Sequence, residues 1–252
     1  MTEKQHALEL KIRKSDRSTV KNRPWMLTGA ASALWITTVI AREKYIPWAC
    51  DRPGACPKVT IFNPIDQWAT LFPSHWSHAD FLSEVTQAAA GVSTLLTVAL
   101  GCAHLKGRQT LAQIAEGARR LLLATALNGM LMEATRMVVK RPRPTVNPDS
   151  LKWLAIEPKA TYYTSFYSGH TSFAFVSATL TFIFLKELMG DPKSIFRVKS
   201  LRTSWIVLVS LIAVATAVLR VMAHRHYLSD VTVGALLGVT ATLIANRLDL
   251  KF

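Results

Sequence analysis

The stretch "VLVSLIAVATAVL", residues 207–219, indicates the fold class because a helix formed by it would be apolar on every side. A helix of a soluble bundle carries a polar stripe at helical spacing, and this stretch has none. The same pattern occurs earlier in the chain, in "GVSTLLTVALG", residues 91–101. Both stretches favour membrane helices over the alternative of a soluble bundle with buried helices.

Long apolar stretches alternate with short charged ones along all 252 residues. A helical span needs roughly 20 mostly apolar residues, or about 17 when flanking side chains reach the interface. Neutral flanks bring the shorter stretches to that length. We therefore predict an all-α fold, a six-helix transmembrane bundle, with an irregular or short-helical outer segment (42–82) between helices 1 and 2. The predicted spans are Met26–Ala41, Val85–Leu105, Leu121–Val139, Ser172–Leu185, Ser204–Leu219 and Val231–Ala245.

The distribution of Lys and Arg predicts which ends of the helices face the cytoplasm. With the N-terminus inside, the inner segments hold 18 of the 30 Lys and Arg, which agrees with the positive-inside rule. We predict a bacterial inner-membrane protein with both termini in the cytoplasm, comprising a cytoplasmic basic tail (1–24) and a membrane domain (25–252). The net charge of +14 then reflects topology and attraction to anionic lipid, and no nucleic-acid partner is expected.

The outer segment between the first two helices contains tryptophans and prolines, a composition typical of a segment in the membrane interface. Within it, "NPIDQWATLF" predicts a short interfacial helix that begins at Asn63-Pro64. Cys50 and Cys56 lie in the same segment, which would face an oxidising compartment. We predict a disulfide between them, the alternative being two free thiols. Cys102 lies among small residues within a helix and is predicted to be a packed thiol.

Ionisable residues gather where the predicted outer ends of four helices meet. Helix 3 ends in "RMVVKRPRP", helix 4 begins in "YSGHTSF", and "LRVMAHRHYLSDV" joins helix 5 to helix 6. Such groups are costly at membrane depth unless they are paired or functional. We predict one outer site that contains Arg136, Arg143, Ser168, Gly169, His170, Arg220, His226 and Asp230.

These residue types indicate phosphate chemistry. Guanidinium groups and the N-terminus of a helix at "SGH" both favour a phosphate. The i, i+4 spacing of His226 and Asp230 allows the carboxylate to accept from one ring nitrogen and leaves the other nitrogen bare. We predict His226 as the nucleophile and His170 as the acid that protonates the leaving oxygen. This face offers no carboxylate cluster for a metal ion, so we expect neither metal nor cofactor.

The pattern resembles the type 2 phosphatidic acid phosphatase superfamily, which also includes vanadium haloperoxidases and bacterial acid phosphatases. The family motifs are Lys-x6-Arg-Pro, Pro-Ser-Gly-His and Ser-Arg-x5-His-x3-Asp. The chain has Arg136-x6-Arg143-Pro144, Tyr167-Ser168-Gly169-His170 and Leu219-Arg220-x5-His226-x3-Asp230, in the same order and within residues 80–247. Arginine, tyrosine and leucine therefore replace the family's first lysine, its proline and its serine.

The motif spacing also separates the two neighbouring histidines. His226 has Arg220 six residues before it and Asp230 four after it, whereas His224 lacks both relations. We therefore predict a solvated loop or lipid-headgroup position for His224 and Arg225. Two polar residues of helix 3 are placed to support the site or the packing: Glu133, one turn before Arg136, and Asn128, which can bond between helices.

The resemblance implies an integral membrane lipid phosphatase that works through a phosphohistidine at the outer, periplasmic face. Its implied partners are the bilayer and a lipid phosphate such as a polyprenyl pyrophosphate, phosphatidic acid or phosphatidylglycerol phosphate. A lipid A phosphatase or a lipid phosphotransferase would use the same residues. A non-catalytic lipid-binding or transport protein is less favoured because both histidines and Asp230 are present.

Overall fold

The computed structural model describes residues 3–50, 64–67, 77–145 and 160–249, with side chains of the first range from 23 to 49. This part of the chain contains α-helices and 3₁₀ helices and no strand, which confirms the all-α prediction. The six α-helices are α1 (Glu3–Cys50), α2 (Ser77–Gly101), α3 (Arg108–Val139), α4 (Gly169–Leu188), α5 (Lys199–Met222) and α6 (Leu228–Asp249). Short 3₁₀ helices cover Pro64–Gln67, Ala160–Tyr163 and Ile195–Arg197.

Helix α1 continues beyond the predicted end of the first span at Ala41. The Nε atom of Arg42 lies 3.2 Å from Oε2 of Glu133 on α3. One turn further, Ile46 is fully buried against Ala160 and Tyr163. Because the residues after 41 find partners in helical register, the charged residues there do not end the helix. The prediction that the outer segment begins at residue 42 is therefore wrong.

Helix α4 lies at the centre of the bundle and packs against α2, α3, α5 and α6. Small residues allow this close packing. A Cβ atom added at Gly238 of α6 would lie 2.3 Å from the Ser172 carbonyl oxygen, and one at Gly234 would lie 2.8 Å from the Ser168 carbonyl oxygen. Glycines four residues apart let helix backbones approach closely in membrane proteins. This contact places the N-terminus of α6 beside the N-terminus of α4.

Four of the described helical segments are long and apolar enough to cross a membrane: Arg23–Ala49 within α1, and α4, α5 and α6. The other two helices carry polar groups that face the bundle interior. Thr94 of α2 donates to the Ser177 carbonyl at 3.0 Å, and Asn128 of α3 donates to Ser172 Oγ at 2.9 Å. Glu133 of α3 is also buried. These polar groups of α2 and α3 therefore find partners inside the bundle.

The two ends of the bundle have different sets of polar residues. The site end, defined by residues 136–143, 165–170 and 220–230, combines the C-termini of α3 and α5 with the N-termini of α4 and α6. The base end, defined by residues 116–120, 187 and 246–249, lies at the opposite end of α4 and α6. The alternating direction of the helices therefore brings all three sequence motifs to one end.

Candidate active site

The structure brings the predicted site residues together at the site end. The Ser168 N–H donates to the Asp230 carbonyl at 3.1 Å, which joins the second motif to the third. Arg136 donates from Nη2 to the Tyr167 carbonyl at 3.4 Å, which joins the first motif to the second. His170 is partly exposed and lies within electrostatic range of the arginines of the first and third motifs.

His226 is 1% exposed and lies in the short connection before α6. Its Nδ1 atom is 2.6 Å from the Ser165 carbonyl oxygen and 3.8 Å from Oδ2 of Asp230. The carbonyl, and not the predicted carboxylate, is therefore within hydrogen-bonding distance. A proton on Nδ1 that is donated to this carbonyl leaves the lone pair on Nε2.

The surroundings of His226 favour its neutral form. Burial, the largest influence, lowers the pKa of His226 to about 3, and the positive charges of Arg220 and Arg143 act in the same direction against Asp230. Removing the imidazolium from water is unfavourable, as is placing it near two cations. The ring is consequently neutral at physiological pH.

Asp230 holds the segment that carries the Ser165 carbonyl. Its carboxylate accepts from Ser165 Oγ, from the Tyr227 N–H at 3.0 Å, and from Nη1 of Arg141. The Ser165 N–H in turn donates to the Arg141 carbonyl at 3.0 Å. Asp230 thus holds Ser165, whose carbonyl accepts from His226. Asp230 therefore acts on the imidazole ring in two ways, through this positioning and through its charge.

Arg141 is the centre of a buried ion-pair network that the sequence did not reveal. It is 4% exposed, its Nη2 atom lies 2.7 Å from Oδ2 of Asp66, and its guanidinium stacks 4.0 Å from the ring centroid of Tyr227. Asp66 also accepts from the N–H and Oγ of Ser229, at 3.0 and 2.9 Å. The segment between α1 and α2 is therefore tied to the start of α6.

The "SGH" segment forms the N-terminus of α4 as predicted. Ser168 is the N-cap, and its Oγ atom accepts from the backbone N–H of Thr171. A Cβ atom at Gly169 would lie 2.8 Å from Sδ of Met132 and 3.2 Å from Nη2 of Arg136. Glycine at this position leaves room for the ends of the Met132 and Arg136 side chains beside the first turn of α4. That turn also supplies free N–H groups.

Among the described residues, the three arginines of the first and third motifs have few carboxylate partners. Arg136 donates to Oε1 of Glu133 at 3.2 Å, and Arg220 donates to Oδ1 of Asp80 at 2.6 Å. Both carboxylates are shared, with Arg42 and Arg225 respectively. The contact between Glu133 and Arg136 agrees with the role predicted for Glu133.

Arg143 has the least compensated charge of the three motif arginines. It donates from Nη2 to Thr164 Oγ1 at 3.2 Å. Burial, together with the nearby positive charges of Arg220 and Arg136, lowers the pKa of Arg143 to about 9. Within the described residues, the buried Nε atoms of Arg136, Arg143 and Arg220 have no hydrogen-bond partner. The site therefore has both positive charge and N–H donors to offer an anion.

Tyr167, where the family motif has proline, has more contacts than the sequence suggested. Its side chain is fully buried, and its hydroxyl donates to the backbone carbonyl of Asn128 at 3.0 Å. Tyr167 and the bond from Asn128 to Ser172 therefore fasten the start of α4 to the middle of α3. Leu219, where the family has serine, precedes Arg220 in the last turns of α5.

The remaining sequence predictions have mixed outcomes. Cys102 is a buried free thiol, as predicted. Cys56 and the side chain of Cys50 lie outside the described residues, so the disulfide stays a prediction. Arg225 is half-exposed but pairs with Asp80 at 2.6 Å, which differs from the solvated position predicted for it. Within the described ranges, no three His, Cys, Asp or Glu side chains are grouped to hold a metal ion.

Comparison with known proteins identifies the family. The model of the PAP2 superfamily matches residues 117–251, which include every motif residue described above. The chain belongs to the PAP2 superfamily, which confirms the resemblance seen in the sequence. Among solved structures, the chain is similar to Aquifex aeolicus LpxE, with 19% sequence identity and a TM-score of 0.40. That match covers 69% of this chain and 87% of the LpxE chain.

Proposed function

We propose that the protein is an integral membrane phosphatase that removes phosphate from a lipid through a phosphohistidine intermediate. The observation that carries this proposal is the buried, neutral His226, whose Nδ1 is held by the Ser165 carbonyl beside arginines with unpartnered Nε atoms. A neutral imidazole with one committed nitrogen is a nucleophile at the other. Membership of the PAP2 superfamily supports the same reaction class.

In the first step, the lone pair of Nε2 of His226 attacks phosphorus and the bond to the leaving oxygen breaks. His170 donates a proton to that oxygen, so the product leaves as an alcohol or, from a pyrophosphate, as a monophosphate. The ring of His226 becomes cationic as the N–P bond forms. Its Nδ1–H then donates more strongly to the Ser165 carbonyl, and Asp230 at 3.8 Å stabilises the charge.

In the second step, water attacks phosphorus and the N–P bond breaks. His170, now neutral, accepts a proton from that water, which restores both histidines and releases inorganic phosphate. Arg136, Arg143 and Arg220 would donate to the equatorial phosphoryl oxygens, where charge is carried in the transition state. Ser168 and the N–H groups at Gly169, at the start of α4, would bind the same oxygens.

We further propose that all six helices cross a bacterial inner membrane, with both termini cytoplasmic and the site end periplasmic. The excess of Lys and Arg in the predicted inner segments supports this orientation. Residues 1–24 would then be a cytoplasmic basic tail attached to a phosphatase domain of residues 25–252. The site would lie at headgroup height, where a polyprenyl pyrophosphate, phosphatidic acid or phosphatidylglycerol phosphate presents its phosphate.

The test is phosphate release from these lipids in mixed micelles by the wild-type protein and by two matched variants. His226→Ala should lower kcat by about 10⁴-fold or more, as expected when a nucleophile is removed. His224→Ala, two residues away, should retain near-normal turnover. Phosphohistidine trapped without acid should map to residue 226. Comparable turnover by His226→Ala would contradict the assignment.

Two further measurements define the reaction. Addition of an acceptor lipid distinguishes hydrolysis from phosphotransfer, because a phosphotransferase would form a phosphorylated acceptor in place of inorganic phosphate. Activity should survive a chelator, since the proposed mechanism uses arginines and N–H donors to stabilise charge. Loss of activity with chelator and recovery with magnesium would contradict the mechanism.

A further inference from the structure

An apolar groove lies between α5 and α6, next to the site end. Each of these helices packs along α4, but they contact each other at few places, so the side of α4 forms the floor of the groove. Its volume is about 460 Å³, within the size range of small-molecule sites. The lining includes Phe175 on the floor, Val214, Val218 and Val221 on α5, and Leu228 and Ala235 on α6.

The groove is continuous with the proposed catalytic residues. Val221 directly follows Arg220, and Leu228 comes two residues after His226. Val221 also packs beside Tyr227, the residue after His226. From Val221 to Val214 the wall of α5 descends seven residues, or about 10 Å at 1.5 Å per residue. The groove thus begins at the level of the arginines and runs away from them along the helices.

The surface of the groove suits a hydrocarbon chain. Val214 and Val218 are each 49% exposed and Leu236 is 63% exposed, so the groove opens sideways. Among the described residues that line the groove, Thr232 is the one with a polar side chain, and its hydroxyl already donates to the Leu228 carbonyl at 2.9 Å. The groove therefore offers apolar contact and no polar group to recognise a headgroup.

We propose that this groove binds a hydrocarbon chain of the substrate lipid and so makes the lipid tail a recognised part of the substrate. The inference rests on the proposed phosphatase function. The arginines above the groove complement the phosphate, and the apolar walls below complement the chain attached to it. A chain that is already in the bilayer gains little transfer free energy, so the benefit is orientation of phosphorus toward Nε2 of His226.

Three Val→Trp variants on α5 test the proposal. Val218→Trp blocks the groove near the site end, and Val214→Trp blocks it one turn deeper. Val207→Trp is the matched control, because Val207 is 51% exposed on the same helix and does not line the groove. Each variant is assayed with a long-chain lipid phosphate, a short-chain lipid phosphate and a soluble phosphate ester.

The expected result is a loss of about tenfold or more in kcat/KM for the long-chain lipid in both groove variants. Val214→Trp should spare the short-chain lipid, which does not reach the deeper turn. Turnover of the soluble ester should be unchanged in all three variants, and Val207→Trp should match the wild type throughout. This pattern would place the chain in the groove.

Two results would overturn the inference while leaving the phosphatase function intact: lipid turnover in the groove variants equal to that of Val207→Trp, or equal losses for lipid and soluble ester. Absence of phosphate release from every lipid by the wild-type protein would instead refute the proposed function. Photo-crosslinking of His226→Ala with a lipid phosphate that carries a diazirine in its chain tests the site without blocking it. Labels should fall on the groove-lining residues of α5 and α6, and labels confined to α1 or α2 would contradict the proposal.

Discussion

Arginines at the two ends of the bundle meet different partners. At the base end, Nε of Arg119 donates to Oε2 of Glu116 at 2.9 Å and its Nη2 pairs with Asp249. Arg120 makes a two-pronged contact with Glu187, both distances being 2.9 Å. The cations at this end are therefore matched by carboxylates, and their role is to hold α3, α4 and α6 together.

At the site end, among the residues that the structure describes, the three motif arginines have fewer carboxylate partners than the arginines of the base end. Arg136 and Arg220 share their carboxylates with other arginines, and Arg143 has a hydroxyl partner, Thr164. Burying a cation without a counterion is unfavourable. The same residue type therefore has two uses in this protein, and the arginines without a carboxylate of their own are suited to bind an anion from outside.

Arg141 differs from the three motif arginines. It lies at the site end, but it pairs with carboxylates as the arginines of the base end do. It pairs with Asp66 and Asp230, both fully buried. Arg141→Ala should lower the free energy of unfolding by about 3–5 kcal/mol, because two buried carboxylates lose their counterion. Unfolding in detergent, followed by circular dichroism against denaturant, measures this.

The matched control for Arg141 is the double variant Arg141→Ala/Asp66→Asn. It removes one of the two uncompensated carboxylates and should recover part of the lost stability, so the two substitutions should be non-additive. Strictly additive losses would show that Arg141 and Asp66 do not stabilise each other. A change in the free energy of unfolding below about 1 kcal/mol in Arg141→Ala would mean that the ion pairs of Arg141 contribute little to stability.

Arg143→Ala should show the opposite behaviour. Removal of a donor to the developing phosphoryl charge is expected to lower kcat/KM by about 10²–10³-fold. The free energy of unfolding should stay the same or rise, because a partly buried cation that has no carboxylate partner among the described residues is removed. Phosphate release and unfolding of the same preparation provide both values.

Arg119→Ala, at the base end, is the matched control for Arg143→Ala. It should lower the free energy of unfolding by roughly 2–3 kcal/mol, near the lower limit for a buried pair because Glu116 is partly exposed. Its kcat/KM, corrected for folded protein, should equal that of the wild type. If Arg119→Ala and Arg143→Ala lost activity equally, the arginines at the two ends of the bundle would not differ in function.

Much of the site was predictable from the sequence because helix direction alternates along the chain. Once hydropathy places the helices, the ends that carry Arg136, Ser168, Arg220 and Asp230 must lie on one side. The close approach of α4 and α6 was not anticipated, although Gly234 and Gly238 have the spacing that allows it. Periodicity within one helix does not specify which neighbour it meets.

Long-range partners were the part that sequence reasoning missed. The i, i+4 rule paired His226 with Asp230, but that rule assumes a single helix, and α6 begins after His226, at Leu228. The nearest acceptor of His226 is instead the Ser165 carbonyl, a backbone atom that carries no sequence signature. Arg141 and Asp66 lie 75 residues apart, and no spacing rule within one helix pairs them.

Anion binding should also distinguish the two ends of the bundle, although its expected effect on stability is smaller than that of the substitutions above. Vanadate, which imitates the transition state of phosphoryl transfer, should bind at the site end and stabilise the folded protein. At ten times its dissociation constant the gain is about 1.4 kcal/mol, or roughly 3–6 °C in Tm for a protein of this size. Arg119→Ala should keep this shift, whereas Arg143→Ala should lose most of it. An equal shift in both variants would indicate binding elsewhere.

The smallest expected effect concerns the pKa of His226. Burial is the largest reason that this pKa is lowered to about 3, and Arg143 is a lesser contributor. Arg143→Ala should therefore raise the pKa by less than about one unit, because the ring stays buried. Arg119→Ala should leave it unchanged. Nuclear magnetic resonance of histidine-labelled protein in detergent micelles measures the titration directly.

The same pKa determines how stability depends on pH. An unfolded histidine titrates near 6.5. Between about pH 6.5 and 3 the unfolded chain therefore binds a proton at residue 226 that the folded protein does not, and the free energy of unfolding falls as the pH is lowered through this range. His226→Asn should weaken this part of the pH dependence. An unaltered slope in His226→Asn, or a folded-state pKa near 6.5, would mean that His226 is solvated and that the proposed neutral nucleophile does not depend on burial.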